Sequence, residues 1–250
     1  MAIETSPRGN VLKFIGKVEV AEQTLEFHLS RPTGFEFKAG QSMDLTLIDP
    51  PGAGAAGGTR SFSINSAPDE PELIFTTRLR DSAFKRALLE LRPGALIRAE
   101  GPFGDFTLHN RVTRPAVLLA GGIGITPFRS IVRRAAREHL PHRIILIHCN
   151  RRPEDAPFQD ELRRLEQENP HFVFVPTMTH PEESKHPWRG ESGHISWAMI
   201  SRYVPTRNGG QAPIFYMAGP MKLVHDLRAM LNAAGVDDDD IRTEDFSGYP

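Results

Sequence analysis

The chain has 250 residues, 39% of them hydrophobic, a formal net charge of −1 from 30 Lys+Arg against 31 Asp+Glu, and one cysteine. That length suffices for one large domain or two ordinary ones with packed cores, and near-neutral charge argues against a nucleic-acid binder relying on bulk electrostatics. The lone Cys149 excludes an internal disulfide, a cysteine-held iron-sulfur cluster and a cysteine-built zinc site. Residues 1–14 lack the apolar core of a signal peptide, and the most apolar run, 115–125, is too short and glycine-broken to span a bilayer. The expectation is a soluble cytoplasmic protein with no membrane association.

From 18 to 48 the hydrophobicity has period two. Leu25, Phe27 and Leu29 alternate with Glu26, His28 and Ser30, and Met43, Leu45 and Leu47 alternate with Asp44 and Thr46, which predicts half-buried antiparallel strands. The glycine-rich stretch 50–58 feeds a strand-like segment at Arg60 and not a helix, so it is expected to be a hairpin loop. Further short strands are predicted over 61–65, 73–78 and 96–100, the spacing of a small antiparallel β-barrel or sandwich. One helix interrupts them. It starts with Asp81 or Ser82 as N-cap, carries Phe84, Leu88 and Leu91 on one face, and stops at Pro93-Gly94.

After about Arg111 the rhythm becomes strand-helix. Strands are predicted at 116–120, 143–149, 172–176 and 214–218, and helices at 126–138, 156–168, 195–203 and 220–234. The strands are bare apolar runs, as expected where helices cover both faces of a doubly wound α/β parallel sheet. The change of rhythm at 109–114 divides the chain into domains 1–111 and 112–250.

The strongest local chemical signal is Gly121-Gly122-Ile123-Gly124-Ile125-Thr126-Pro127, between a predicted strand and a predicted helix. Glycines there let the backbone turn tightly and approach a diphosphate, and the helix N-terminus favours its negative charge. Pro127 suits the first helical turn, where its missing N–H has no intrahelical partner. At the end of the next strand, where a carboxylate commonly holds the adenosine ribose, stand Asn150-Arg151-Arg152. Two guanidiniums suit a 2′-phosphate and hint at NADP over NAD, while a solvated basic turn is equally open. The acidic run 237–240 reads as a solvated turn, the ten histidines show no metal-ligand spacing, and no Gly-x-Ser-x-Gly occurs, so neither a metal centre nor a serine hydrolase is expected.

Arg60-Ser61-Phe62-Ser63, Gly101-Pro102-Phe103-Gly104-Asp105-Phe106, the glycine turn, Ala218-Gly219-Pro220 and Glu244-Asp245-Phe246 occur in an order that together resembles the ferredoxin-NADP reductase superfamily. The resemblance implies an FAD-binding barrel over 1–111 and an NAD(P)-binding α/β domain over 112–250. It implies that Arg60 pairs with the flavin phosphates, that Phe62 lies against the flavin, and that Ser63 hydrogen-bonds near flavin N5. Thr76, Thr77, Arg78 and Ser82 would surround the flavin diphosphate, with Gln41 nearby. Gly121, Gly122, Gly124, Thr126, Pro127, Arg151, Arg152, Ala218, Gly219 and Pro220 would hold the pyridine nucleotide. Ser63, Thr126, Glu244 and Phe246 would serve hydride transfer from nicotinamide to flavin.

Two departures stand out: Phe62 where the family usually has tyrosine, and Ala218 where many members have cysteine. The missing cysteine cluster implies electron delivery to a separate redox carrier, ferredoxin or flavodoxin, or to an oxygenase component, with Lys85, Arg86, Arg92 and Arg98 as a basic flank for an acidic carrier. A flavin reductase or oxidase with a small-molecule acceptor, and a non-catalytic nucleotide-binding subunit, are the alternative readings.

Overall fold

The structure is a computed structural model that describes residues 9–48, 58–204 and 211–246. The N-terminal half is one antiparallel sheet built from β1 (Asn10–Ala21), β2 (Thr24–Ser30), β3 (Ser42–Leu47), β4 (Thr59–Ser63), β5 (Glu72–Arg78) and β6 (Leu96–Phe103), in the order β4-β3-β6-β1-β2-β5. The sheet curls until its two edges meet, where the amide of Asn65 donates to the carbonyl of Ile74 at 2.8 Å. Inward-facing Leu12, Phe14, Leu29, Met43, Leu73 and Ile97 fill it. Helix α1 (Ala83–Glu90) plugs one end with Phe84 and Leu88, and its N-cap Ser82 accepts from the amide of Lys85.

The sequence pattern located β1 only from Val18. The strand begins eight residues earlier, at Asn10. Its outward face carries exposed Val11, Ile15 and Val18, and its register slips between Phe14 and Gly16, so the alternation that betrays a half-buried strand is lost.

The C-terminal half is a parallel sheet of β7 (Ala116–Gly121), β8 (Ile144–Asn150), β9 (Phe172–Met178), β10 (Glu191–Ser192), β11 (Ile214–Pro220) and β12 (Ile241–Phe246), ordered β10-β9-β8-β7-β11-β12. Helices α2 (Ile125–Arg137) and α3 (Gln159–Glu168) cover one face through Phe128, Ile131 and Leu162. Helices α4 (Trp197–Tyr203) and α5 (Met221–Ala233) cover the other through Ile200, Val224 and Leu227. Burial on both faces explains the bare apolar strands. The helix expected from 156 starts only at Gln159, because residues 153–155 form a 3-10 turn and Phe158 adopts a left-handed conformation at φ 66°. The helix expected from 195 starts at Trp197, capped by the Ser196 hydroxyl.

The two sheets meet through buried polar contacts. Arg129 of α2, 5% exposed, donates to the Asn65 carbonyl, lies 3.4 Å from Glu26 of β2 and binds Glu161 of α3 at 2.8 Å. Beside it, the Ser130 hydroxyl donates to the Ser66 carbonyl at 2.6 Å. On the far side Arg78 of β5 pairs with buried Asp155 at 3.0 Å, and Arg152 bridges Asp155 and Glu22. These contacts fix the open end of β4 over the C-terminal edge of the parallel sheet.

Candidate active site at the junction of the two sheets

The chain leaves β7 at Gly121, forms a 3-10 turn over Gly122–Gly124 and enters α2. Gly122 has φ 53°, a region that L side chains avoid. At Gly124 the constraint is contact: a Cβ would lie 2.1 Å from the carbonyl oxygen of Ala218. The turn therefore interlocks with the end of β11, where Gly219 and Pro220 follow. The Thr126 hydroxyl donates to the Ile123 carbonyl at 3.1 Å, and Pro127 lies buried in the first turn of α2. The carbonyl of Gly122 is held from below by Nε2 of His148 at 2.9 Å. Burial drives the His148 pKa down to about 4, so the ring is a neutral donor with a fixed tautomer. Sequence reasoning missed His148, because nothing local distinguishes it from any other strand residue.

Across the junction the buried hydroxyl of Ser63, at the end of β4, donates to Oε1 of Glu244 at 3.2 Å. Glu244 sits on β12 in register with Ala218. Its other oxygen, Oε2, is buried without a partner. Burial raises the Glu244 pKa to about 7, the Asp245 charge adds to this, and the bond from Ser63 opposes it. The folded pKa lies above the unfolded value, so the ionised form destabilises the fold. The penalty is absent below about pH 4.5 and complete above about pH 7. In the cofactor-free protein Glu244→Gln is expected to raise stability at pH 8 by up to about 3 kcal/mol and to leave it nearly unchanged at about pH 4, as measured by urea unfolding at both pH values.

Next to Ser63, Phe62 stacks on Phe84 of α1 with ring centroids 6.0 Å apart and meets Phe75 edge-on. The Arg60 guanidinium lies 5.6 Å from the Phe84 centroid and donates to the Thr59 carbonyl. Phe84 and Phe75 belong to the barrel core and Phe62 is partly buried against it, with the Arg60 cation and the start of α1 beside Phe84.

A profile of the oxidoreductase NAD-binding domain family matches residues 118–229. Ferredoxin-NADP reductase B of Sorangium cellulosum is 30% identical over 210 residues, covering 82% of this chain and 83% of that protein. The chain belongs to the ferredoxin-NADP reductase family. The glycine betaine monooxygenase reductase subunit of Chromohalobacter salexigens is 28% identical over 232 residues, and this chain spans 61% of its length. Among solved structures, a ferredoxin-NADP+ reductase from Neisseria gonorrhoeae with bound FAD and NADP shares the fold at TM-score 0.78 and 23% identity, covering 96% of this chain and 99% of that one.

The residues of this family member fit a flavin: the partly buried Phe62 ring suits an aromatic ring system, Arg60 and the start of α1 suit a diphosphate, and Glu244 Oε2 is a buried polar atom left without a partner. Other expected contacts are engaged inside the protein. The Ser82 hydroxyl caps α1, and the Thr76 hydroxyl accepts from Nδ2 of Asn65 at 2.8 Å. Thr77 donates to the Arg78 carbonyl, and Arg78 reaches across to Asp155. Arg151 makes a two-oxygen pair with exposed Glu183, and Arg152 holds Asp155 and Glu22, so both guanidiniums carry carboxylate partners. Gln41 ties the Lys38 amide to the Gly104 carbonyl, the role of a loop residue. Phe246 lies opposite Pro220 at the end of β12.

Ala218 is fully buried, and Cys149 lies in the apolar cluster with Ile195, its pKa pushed up to about 11 by burial. The only cysteine is therefore an inert core thiol. Contrary to the sequence expectation about histidine spacing, His180, Glu182 and Glu183 do come together. All three are exposed and Glu183 is engaged by Arg151. Of the expected loop at 50–58, residues 50–57 lie outside the described residues, as do 247–250.

Proposed function

We propose that this chain is an FAD-dependent NAD(P)H reductase of the cytoplasm that passes electrons to a separate protein acceptor, a ferredoxin, a flavodoxin or an oxygenase component. The observation that carries the reading is the Ser63–Glu244 contact at 3.2 Å, which joins the flavin-type strand β4 to the end of the nucleotide-type sheet, beside the glycine turn. FAD, when bound, would supply the redox chemistry: two-electron uptake from a reduced nicotinamide and one-electron release.

The protein's own work is binding, orientation and proton placement. Arg60 and the amides that open α1 hold the flavin diphosphate, and Phe62 supports its ring system. The turn 121–124 and the N-terminus of α2 receive the nucleotide diphosphate. Ser63 fixes Glu244 by donating its hydroxyl to Oε1, and Glu244, with a pKa of about 7, can hold a proton at the unpartnered Oε2 near neutral pH. Burial of Ser63 and of Glu244 Oε2 keeps water from competing for these bonds. With fully buried Ala218 at the position where many relatives place a thiol, positioning rests on Ser63, Glu244, Phe246 and the turn that Thr126 closes.

Within the basic flank Arg86 is neutralised by Asp81 and Lys85 donates to the Arg78 carbonyl, whereas Arg92 and Arg98 are exposed. The acceptor is tested by steady-state reduction of ferredoxin, flavodoxin, free flavin and ferric complexes by the FAD-loaded protein. Saturable turnover with a protein carrier is expected. Turnover confined to the small molecules would instead make the chain a flavin or ferric reductase.

A further inference from the structure

A cavity of about 720 Å³ opens at the edge of the parallel sheet opposite the glycine turn. Arg114 just before β7, Ile214 at the start of β11 and Arg242 near the start of β12 line it, and Phe37, Lys38 and Pro68 close it from the barrel. Nucleotides in α/β domains bind beyond the carboxyl ends of the strands, so this cavity, at the amino ends and roughly 20 Å along β7 from the turn, is a separate place. Its charge is out of keeping with a chain of net charge −1. Arg114 pairs with Asp240 at 2.6 Å and Arg134 with Glu138 at 2.9 Å, which leaves Lys38, Arg111 and Arg242 against Asp239 alone among the lining charges. Burial holds the pKa of His109, also in the lining, below its usual range, so that ring adds no charge.

Arg242 is the distinctive group. Among the described arginines that are buried or half-buried, Arg78, Arg114, Arg129, Arg133, Arg134 and Arg152 each pair with a carboxylate, and Arg31 is enclosed by the carbonyls of Phe35, Pro68 and Glu70. Arg242, also half-buried, has no carboxylate partner among the described residues and bonds one carbonyl, that of Thr107 at 3.0 Å, with its five N–H donors. Its Cζ lies 5.3 Å from the Tyr216 ring centroid, and Tyr216 stacks in turn on His109. The fork is thus held in place with donors to spare, the state of a guanidinium that receives an anion.

We propose that this cavity binds a small organic anion bearing two or more negative charges on phosphate or carboxylate groups. Arg242 takes one anionic group on the unused edge of its guanidinium, exposed Lys38 and Arg111 neutralise the rest, and Phe37, Leu108 and Ile214 supply apolar wall for the carbon skeleton. The volume falls within the range of small-molecule pockets and exceeds what one bare phosphate fills. Such an occupant touches the barrel and the sheet edge at once. It also sits on the strand that carries Glu244, which follows Arg242 by two residues on the same face of β12. The site stands independently of the reductase reading.

The test is calorimetric titration of the purified full chain, at low ionic strength, with citrate, phenyl phosphate and inorganic phosphate. At least one of the two organic anions is expected to bind once per chain with a Kd of about 1 mM or below, and about tenfold more tightly than inorganic phosphate. The tighter of the two tells a carboxylate ligand from a phosphate one. Arg242→Gln is expected to weaken that binding about tenfold or more, and so is Lys38→Ala combined with Arg111→Ala, whereas Arg60→Ala at the flavin-type site leaves it unchanged. Lys38 and Arg111 are exposed, so their double variant reports on binding without disturbing a packed contact. Absence of saturable binding of either organic anion up to about 20 mM overturns the proposal. So does equal affinity for inorganic phosphate, or binding that survives the cavity substitutions, or binding that Arg60→Ala abolishes.

Discussion

Arg129→Met is expected to destabilise the protein by about 3–5 kcal/mol and to loosen the joint between the two sheets. The Arg129 side chain is 6% exposed and its guanidinium ties α2 to three elements at once: the Asn65 carbonyl after β4, Glu26 on β2 and Glu161 on α3, with Cζ 4.7 Å from the Phe158 ring centroid. Methionine matches the stem but leaves carboxylates behind. Glu161 keeps Arg133 at 2.9 Å, so the charge left worst placed is Glu26, at 9% side-chain exposure. Adding Glu26→Gln to Arg129→Met is therefore expected to recover about 1 kcal/mol of the loss, because without Arg129 the buried Glu26 keeps only the Asn65 amide at 2.9 Å and the His28 ring at 3.8 Å, and an amide tolerates that site better than a carboxylate. Urea unfolding of the two single variants and the double variant measures this. A double variant whose loss equals the sum of the single losses would show that Arg129 and Glu26 do not act as a pair.

Gly124→Ala is expected to cost about 2–4 kcal/mol and to raise the KM for the pyridine nucleotide more than tenfold, at any stability the variant retains. The reason is steric and not conformational: Gly124 has φ −60°, which alanine adopts readily, but its Cβ would sit 2.1 Å from the Ala218 oxygen and 2.7 Å from the Gly219 Cα. Backbone blocks it on the β11 side, so the turn must lift away from Ala218-Gly219, and the amides proposed to receive a diphosphate move with it. Gly122→Ala is the contrast. A Cβ there meets nothing within 4 Å, and the only cost is the positive φ of 53°, about 1–2 kcal/mol. Thermal unfolding and nucleotide KM of the two variants separate the cases, and equal effects would contradict the interlocking of turn and strand.

Short-range patterns made the fold, and the segments from which the candidate site is drawn, legible. The glycine turn, the bare parallel strands and Arg60 to Ser63 each occupy contiguous residues whose spacing encodes the local geometry. What the sequence did not reveal depends on contacts between distant segments. Ser63 and Glu244 are 181 residues apart, and only the packing of β4 against β12 makes them a pair with a raised carboxyl pKa. Arg129 reads as one more charge on an amphipathic helix until its partners on β2 and α3 are in place. Residues 10–17 escaped notice for the opposite reason: apolar Val11 and Ile15 face outward, so burial left no alternating imprint.

The most direct test of the central claim is an anaerobic visible titration of the FAD-loaded protein with NADH and, separately, with NADPH. Stoichiometric bleaching of the flavin band by at least one nucleotide is expected, with a rate that changes across pH 6–8 in wild type and loses that dependence in Glu244→Gln. A protein that takes up no flavin, or whose flavin neither nucleotide bleaches, would contradict the assignment of Ser63 and Glu244 to a hydride-transfer site.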